Sequence, residues 1–247
     1  MKISITAASK TGSVRSNNED MILVDKKLIR NKSFWTMVDL DATDRLIVAL
    51  ADGMGGHSCG EVASQVTLKN LSFFFNDLPK GLSPGELNET ICEWLVSINN
   101  IIYSKGVEES QYRDMGTTLV AMLYYNQQFY WMNCGDSRLY RFHDGQLIQF
   151  TTDHSLNTLT GSTEHSSIIT NCIGGGCKTS YVDMTQCTSE VLRGDSFLIC
   201  SDGLSDMISD ETIGKLMNEG VDANRLCDAA IEAGGFDNVS VAVIKIM

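Results

Sequence analysis

The sequence predicts an α+β fold of four layers, an αββα sandwich in which two antiparallel sheets lie face to face between pairs of helices. Two observations predict it. Period-two apolar runs come in neighbouring groups joined by short turns, and the helical patterns come in consecutive pairs, without the strand-helix-strand alternation of a parallel sheet. The chain has 247 residues, two prolines, scattered glycines and no repeat or low-complexity stretch, so no linker is visible and residues 1–247 read as a single domain.

Taken in order, the first fifty residues hold short β-like runs at 2 to 8, 21 to 25 and 46 to 51. The period then changes. From Glu61 to Leu78, Val62, Ala63, Val66, Phe74, Phe75 and Leu78 follow helical spacing, and Leu87, Ile91, Trp94, Leu95, Ile98, Ile101 and Ile102 form a second stripe. Ser83-Pro84-Gly85-Glu86 marks the start of that second helix with a capping serine, a first-turn proline and a capping-box glutamate. From Thr117 to Phe150 period two returns, with turns at Asn126-Gln127, Gly135-Asp136-Ser137 and Asp144-Gly145, the pattern of an antiparallel meander. Residues 151 to 180 are polar and glycine-containing and read as a loop region with little regular structure. A strand at 197 to 201 precedes helices at 210 to 219, started by Ser209, and 223 to 233, ended by Gly234-Gly235. A last strand covers 239 to 246.

A formal net charge of −12 argues against nucleic acid or an anionic membrane surface as partner, since either needs a basic face. The eight cysteines match neither a small disulfide scaffold nor a CxxC motif, and Cys134, Cys172 and Cys200 sit in apolar contexts, as reduced buried thiols do. The first residues alternate like a strand rather than a signal peptide, and no run reaches transmembrane length. A cytoplasmic monomer is the expectation.

Five acids stand at strand ends. Asp52-Gly53 follows Leu46 to Ala51, Asp202-Gly203 follows Phe197 to Ser201, Asp20 precedes Met21 to Val24, Asp136 lies between two runs, and Asp237 precedes Val239 to Ile244. Carboxylates gathered from separate strands repel unless cations neutralise them, by a few kcal/mol at about 4 Å. Without accompanying histidine or cysteine ligands they favour magnesium or manganese over zinc. Two such ions about 3.5 to 4 Å apart can activate a shared water, which suits hydrolysis of a phosphate ester. Arg15, four residues before Glu19, is the candidate cation for the substrate phosphate.

Six segments in this order resemble the motifs of the metal-dependent serine/threonine phosphatases, the protein phosphatase 2C family, in its compact bacterial form. They are Gly12 to Asp20, Ala51 to His57, Gly116 to Leu119, Gly135 to Arg138, Ser201 to Leu204 and Asp237 to Ser240. The resemblance spans essentially the whole chain and implies a β-sandwich flanked by helix pairs, with a binuclear manganese or magnesium centre at one edge. Carried over by position, Asp52 bridges both ions, Gly53 offers its carbonyl to one, and Asp202 and Asp237 bind the other. Glu19 and Asp20 hold coordinating waters, Asp136 matches a third-metal position of bacterial members, and Arg15 matches the substrate-phosphate arginine.

His57 is a general-acid candidate. In animal members the proposed acid histidine directly follows the Asp-Gly pair, where this chain has Met54, so the alternative is that His57 shapes the loop. His154 and His165 read as surface or turn residues. The stretch from Asn157 to Cys172 is shorter and more polar than the helical flap of bacterial relatives.

The implied function is hydrolysis of phosphoserine and phosphothreonine by direct attack of hydroxide held at the binuclear centre, on a phosphoprotein with a cognate kinase. Two alternatives stand beside it: a pseudophosphatase that binds a kinase or scaffold, and a phosphatase dedicated to one regulatory phosphoprotein.

Overall fold

The direction in which alternate side chains point sets the layering. The computed structural model describes residues 1–55, 59–161 and 168–247. The chain runs β1 (Lys2–Lys10), β2 (Met21–Val24), β3 (Lys27–Ile29), β4 (Lys32–Asp39), β5 (Arg45–Ala51), β6 (Gly53–Met54), α1 (Gly60–Asp77) and α2 (Pro84–Glu108). It continues through β7 (Gly116–Thr117), β8 (Leu119–Tyr125), β9 (Gln128–Cys134), β10 (Arg138–His143), β11 (Gln146–Gln149), α3 (Leu156–Thr160), β12 (Ile173–Gly174) and β13 (Asp183–Gln186). It ends with β14 (Ser196–Cys200), α4 (Asp202–Ser205), α5 (Asp210–Asn218), α6 (Ala223–Glu232) and β15 (Val239–Ile246).

Among the described residues, one six-stranded sheet has the order β11-β10-β14-β15-β1-β4 and the other β13-β9-β8-β5-β2-β3. Both are antiparallel throughout. Leu46, Val48 and Leu50 of β5 meet Ile3, Ile5 and Ala7 of β1 between the sheets, while Ile47, Ala49 and Ala51 turn outward to Leu68, Leu71, Leu95 and Ile98 of α1 and α2. On the far side Val239, Val241 and Val243 of β15 pack under Ile213, Leu226 and Ala230 of α5 and α6. Both faces of these strands are covered, so they read as unbroken apolar runs. The predicted αββα sandwich is the observed one.

Local details follow from side-chain chemistry. The Ser83 hydroxyl accepts from the Glu86 amide, and the Glu86 carboxylate accepts from the Ser83 amide at 2.8 Å, so the expected capping box starts α2. Ile101, expected in the buried stripe, is 52% exposed, because Ile98 and Ile102 already fill that face. In α1 the fully buried line runs through Ala63, Ser64, Thr67, Leu68, Leu71 and Phe75, and Val62, Val66 and Phe74 flank it. Of the expected stripe, Ala63, Phe75 and Leu78 are buried, and Val62, Val66 and Phe74 lie at the edge of that face.

The meander departs from a single sheet. β8 and β9 belong to one sheet and β10 and β11 to the other, so the turn at Gly135-Asp136-Ser137 carries the chain across the sandwich edge. The region read as loop contains α3, β12 and a bridge between Ser155 and Ile169. Its anchor is His154, which is 6% exposed. This corrects the reading of His154 as a surface or turn residue. Its Nδ1 accepts from the Gly135 amide at 3.1 Å and Asn171 Nδ2 at 2.8 Å, which leaves Nε2 to donate to Asp183 at 3.0 Å. His57 and His165 lie outside the described residues.

Candidate metal centre

Strand ends from both sheets meet at one edge of the sandwich. Asp52 leaves β5 and Asp20 enters β2 in one sheet, Asp202 leaves β14 and Asp237 lies just before β15 in the other, and Asp136 sits on the crossing between them. All five expected acids are brought together there, and the charges of Asp20, Asp202, Asp136 and Asp237 all reach Asp52.

Main-chain contacts fix the loops that carry them. The carbonyl of Asp52 accepts from the Thr118 amide at 2.9 Å and the Thr117 hydroxyl at 2.8 Å, and its amide donates to Thr118 Oγ1 at 3.0 Å. Thr118 Oγ1 also lies 2.7 Å from Ser137 Oγ, which ties the Asp52 loop to the Asp136 crossing. A Cβ on Gly53 would lie 2.2 Å from the Gly60 carbonyl oxygen, and one on Gly203 would lie 1.9 Å from that of Asn238. Only glycine fits after each aspartate.

A buried polar lattice lies beneath. Ser201 donates to Asp20 Oδ2 at 2.9 Å, and the Asn18 side-chain carbonyl accepts from the Asp20 amide at 3.0 Å. Asn238 accepts from the Glu19 amide at 2.8 Å and donates to the Asn17 carbonyl at 2.8 Å, holding the first loop against the start of β15. Arg30 donates to the carbonyls of Asp20 at 2.8 Å and Glu61 at 2.9 Å, and to the Ser64 hydroxyl at 2.8 Å. That joins the Asp20 loop to the first turn of α1.

The electrostatics are those of a cluster short of positive charge. Burial, then repulsion by Asp20, Asp202, Asp136 and Asp237, pushes Asp52 well above the ordinary carboxylate range. Burial and Asp202 push both Asp20 and Asp136 up to about 7, and burial and Asp237 push Asp202 up to about 6. Burial and Glu61 raise Glu19 as well. Asp20 Oδ1, Asp136 Oδ1, Asp202 Oδ1 and Glu61 Oε2 are buried without a hydrogen-bond partner, a costly state for oxygens of this kind. At the rim, Arg15 Nη2 donates to Asp237 Oδ2 at 2.6 Å.

These residues fit hard divalent cations. Among the described residues no group of three or more His, Cys, Asp or Glu side chains is set closely enough to hold a metal ion by itself. Magnesium and manganese suit such an open site, because they complete their shells with water and carbonyl oxygen.

The sequence model of protein phosphatase 2C matches residues 33–230. The chain belongs to the protein phosphatase 2C family. It is 34% identical over 98% of its length to the serine/threonine protein phosphatase PstP of Mycobacterium tuberculosis, of which it spans 44%. Among solved structures, that of the S. agalactiae serine/threonine phosphatase is similar at a TM-score of 0.82 and 26% identity, covering 99% of this chain and all of the other. The catalytic domain of PstP in complex with two manganese ions matches at a TM-score of 0.74 and 32% identity, covering 99% of each chain.

Within this family member, the supporting residues were harder to foresee than the acids. Asn238 and Ser201 stand inside segments already singled out, and their value lay in spacing next to an aspartate. Arg30 follows a three-residue strand and carries no such signal. Arg138, beside the crossing, pairs with Asp153 at 2.7 Å and with the Tyr140 hydroxyl at 3.0 Å, which braces the Asp136 turn.

Proposed function

We propose that this chain is a metal-dependent phosphoprotein phosphatase that hydrolyses phosphoserine and phosphothreonine. The carrying observation is the set of unpartnered buried oxygens on Asp20, Asp136 and Asp202. Their cost is removed by divalent cations. Asp52, Asp202, Asp237 and the Gly53 carbonyl would hold two ions, manganese or magnesium, with Asp136 at a third position and Glu19 and Asp20 fixing waters around them. When bound, the ions supply Lewis acidity and a water activated near neutral pH.

The chain's own residues do the rest. Asp52 is the acid that the charges of the other four all reach, and Thr117 and Thr118 hold its main chain. Arg15, 52% exposed in its side chain, reaches the site from the solvent side, where a phosphate monoester would arrive. Its planar donor fork suits two phosphate oxygens. A phosphate there would compete with Asp237 for the guanidinium, which draws Arg15 toward the substrate.

A phosphorylated protein, cytoplasmic location, a cognate serine/threonine kinase and a monomeric state complete the reading. The serine/threonine phosphatases among its relatives support the phosphoprotein substrate, and no helix among the described residues is long and apolar enough to cross a membrane. The test is turnover of p-nitrophenyl phosphate and of a phosphothreonine peptide with added manganese. Activity at the level of Asp52→Asn would reject the enzyme reading and leave a pseudophosphatase that binds a kinase or scaffold.

A further inference from the structure

Outside the acidic edge, one pair of reactive side chains has no part in the phosphatase reading. Cys172 Sγ and Cys177 Sγ lie 3.5 Å apart, and neither is in a disulfide. A disulfide needs about 2.05 Å, so the two sulfurs must close by about 1.5 Å. The residues between them include Gly174, Gly175 and Gly176, at φ of 74°, 57° and 78°. Gly176 has open space around it, so this glycine-rich turn can absorb the shift.

We propose that Cys172 and Cys177 are a reversible dithiol-disulfide site, oxidised by hydrogen peroxide. Cys177 is half-buried and Cys172 is 4% exposed, so the oxidant meets Cys177 first. Burial, with Cys177 beside it, also pushes the Cys172 thiol up, which suits it to second place. The Cys177 sulfur attacks one peroxide oxygen, the O–O bond breaks, and a sulfenic acid and one water result. The Cys172 sulfur then attacks the Cys177 sulfur, the S–O bond breaks, and the hydroxyl leaves with the thiol proton as a second water. Two thiols lose two hydrogens, and one peroxide becomes two waters.

The position of the pair links it to the acidic edge. Ile173 of β12 pairs with Thr117 of β7, and Thr117 pairs in turn with Gly53 of β6. Two strand spacings, about 10 Å, therefore separate the dithiol strand from the Asp52-Gly53 segment. The Cys172 sulfur lies 2.8 Å from where a Cβ on Gly175 would stand, and the Gly175 amide donates to the Met115 carbonyl at 2.7 Å. Drawing that sulfur toward Cys177 pulls on the outer strand of the three-stranded sheet. Only this effect on turnover rests on the phosphatase reading; bond formation does not.

The test treats the full chain with hydrogen peroxide, blocks remaining thiols by alkylation and digests with trypsin without reductant. Residues 142–178 form one tryptic peptide that contains both thiols and no other cysteine. The expected product is that peptide, lighter by two hydrogens, unalkylated at both positions and restored by dithiothreitol. In Cys172→Ser the same treatment leaves a sulfenic acid on Cys177 that dimedone captures, and Cys177→Ser, at a half-exposed position, gives neither product.

Manganese affinity by calorimetry and turnover are then compared before oxidation, after it and after reduction, with a loss of both on oxidation expected in the parent and in neither variant. Alkylation of both thiols after peroxide, or a link from Cys172 to Cys134 that joins two tryptic peptides, overturns the site. A disulfide that leaves manganese affinity unchanged overturns its connection to the acidic edge, whatever the phosphatase assay reads.

Discussion

Removing divalent ions should leave a folded protein whose melting temperature falls as pH rises from about 5 to about 8. The reasoning starts from Asp20 and Asp136, both pushed from 3.8 to about 7 by burial and by Asp202. A carboxyl raised in this way keeps its proton when folded and loses it when unfolded. Between about pH 4 and pH 7 the folded state thus binds more protons, and stability declines with rising pH. For one carboxyl moved from 3.8 to about 7, about two pH units of that interval fall between pH 5 and pH 8, a loss of about 3 kcal/mol. At 2 to 4 °C per kcal/mol for a domain of this size, that is a fall of roughly 10 °C in Tm. Differential scanning calorimetry of chelated protein across this range measures it. Manganese should flatten the slope, since bound cations replace the protons. A Tm of the chelated protein that is flat or rises over the same interval would refute the electrostatic account of the cluster.

Other substitutions separate the roles of individual residues. Asp136→Asn removes one of the mutually repelling charges, so the chelated variant should melt a few degrees above the parent at about pH 8, as seen by the same calorimetry. Asp202→Ala should abolish manganese-dependent turnover, whereas Arg15→Ala should mainly raise KM; an unchanged KM in steady-state kinetics would count against Arg15 as the phosphate contact. Gly203→Ala places a Cβ 1.9 Å from a main-chain oxygen and should cost roughly 3 kcal/mol in urea unfolding, with weaker manganese binding. Ser83→Ala removes the capping box of α2 and should cost about 1 kcal/mol, with turnover unchanged.

What was legible in the sequence depended on how local the signal was. The acids could be found because each stands beside a strand whose apolar run ends abruptly, and the Ser83 cap because its partner Glu86 is three residues away. The two-sheet split of the meander could not, because Gly135 to Ser137 looks like any tight turn until the partners of β10 are known. Arg45 shows the same limit: it begins a strand as an ordinary charged residue, yet its guanidinium caps the end of α1 by donating to the carbonyls of Phe75, Asn76 and Leu78 at 2.9 to 3.0 Å. His154 was misplaced because its three partners lie up to 29 residues away, and a polar neighbourhood in sequence concealed a buried one in space. Long-range pairing of polar groups leaves no periodic trace.

The crossing at Asp136 gives the acidic edge a dependence on the whole sandwich. Two acids ride on one sheet, two on the other, and the fifth on the strap between them. Any sliding of one sheet over the other therefore changes the spacing of the carboxylates before it exposes much apolar surface. The edge acts as a vernier for the interior: a cavity made deep between the sheets, at Val48 or Ile244 for example, would register as altered ion affinity while the fold itself still stood.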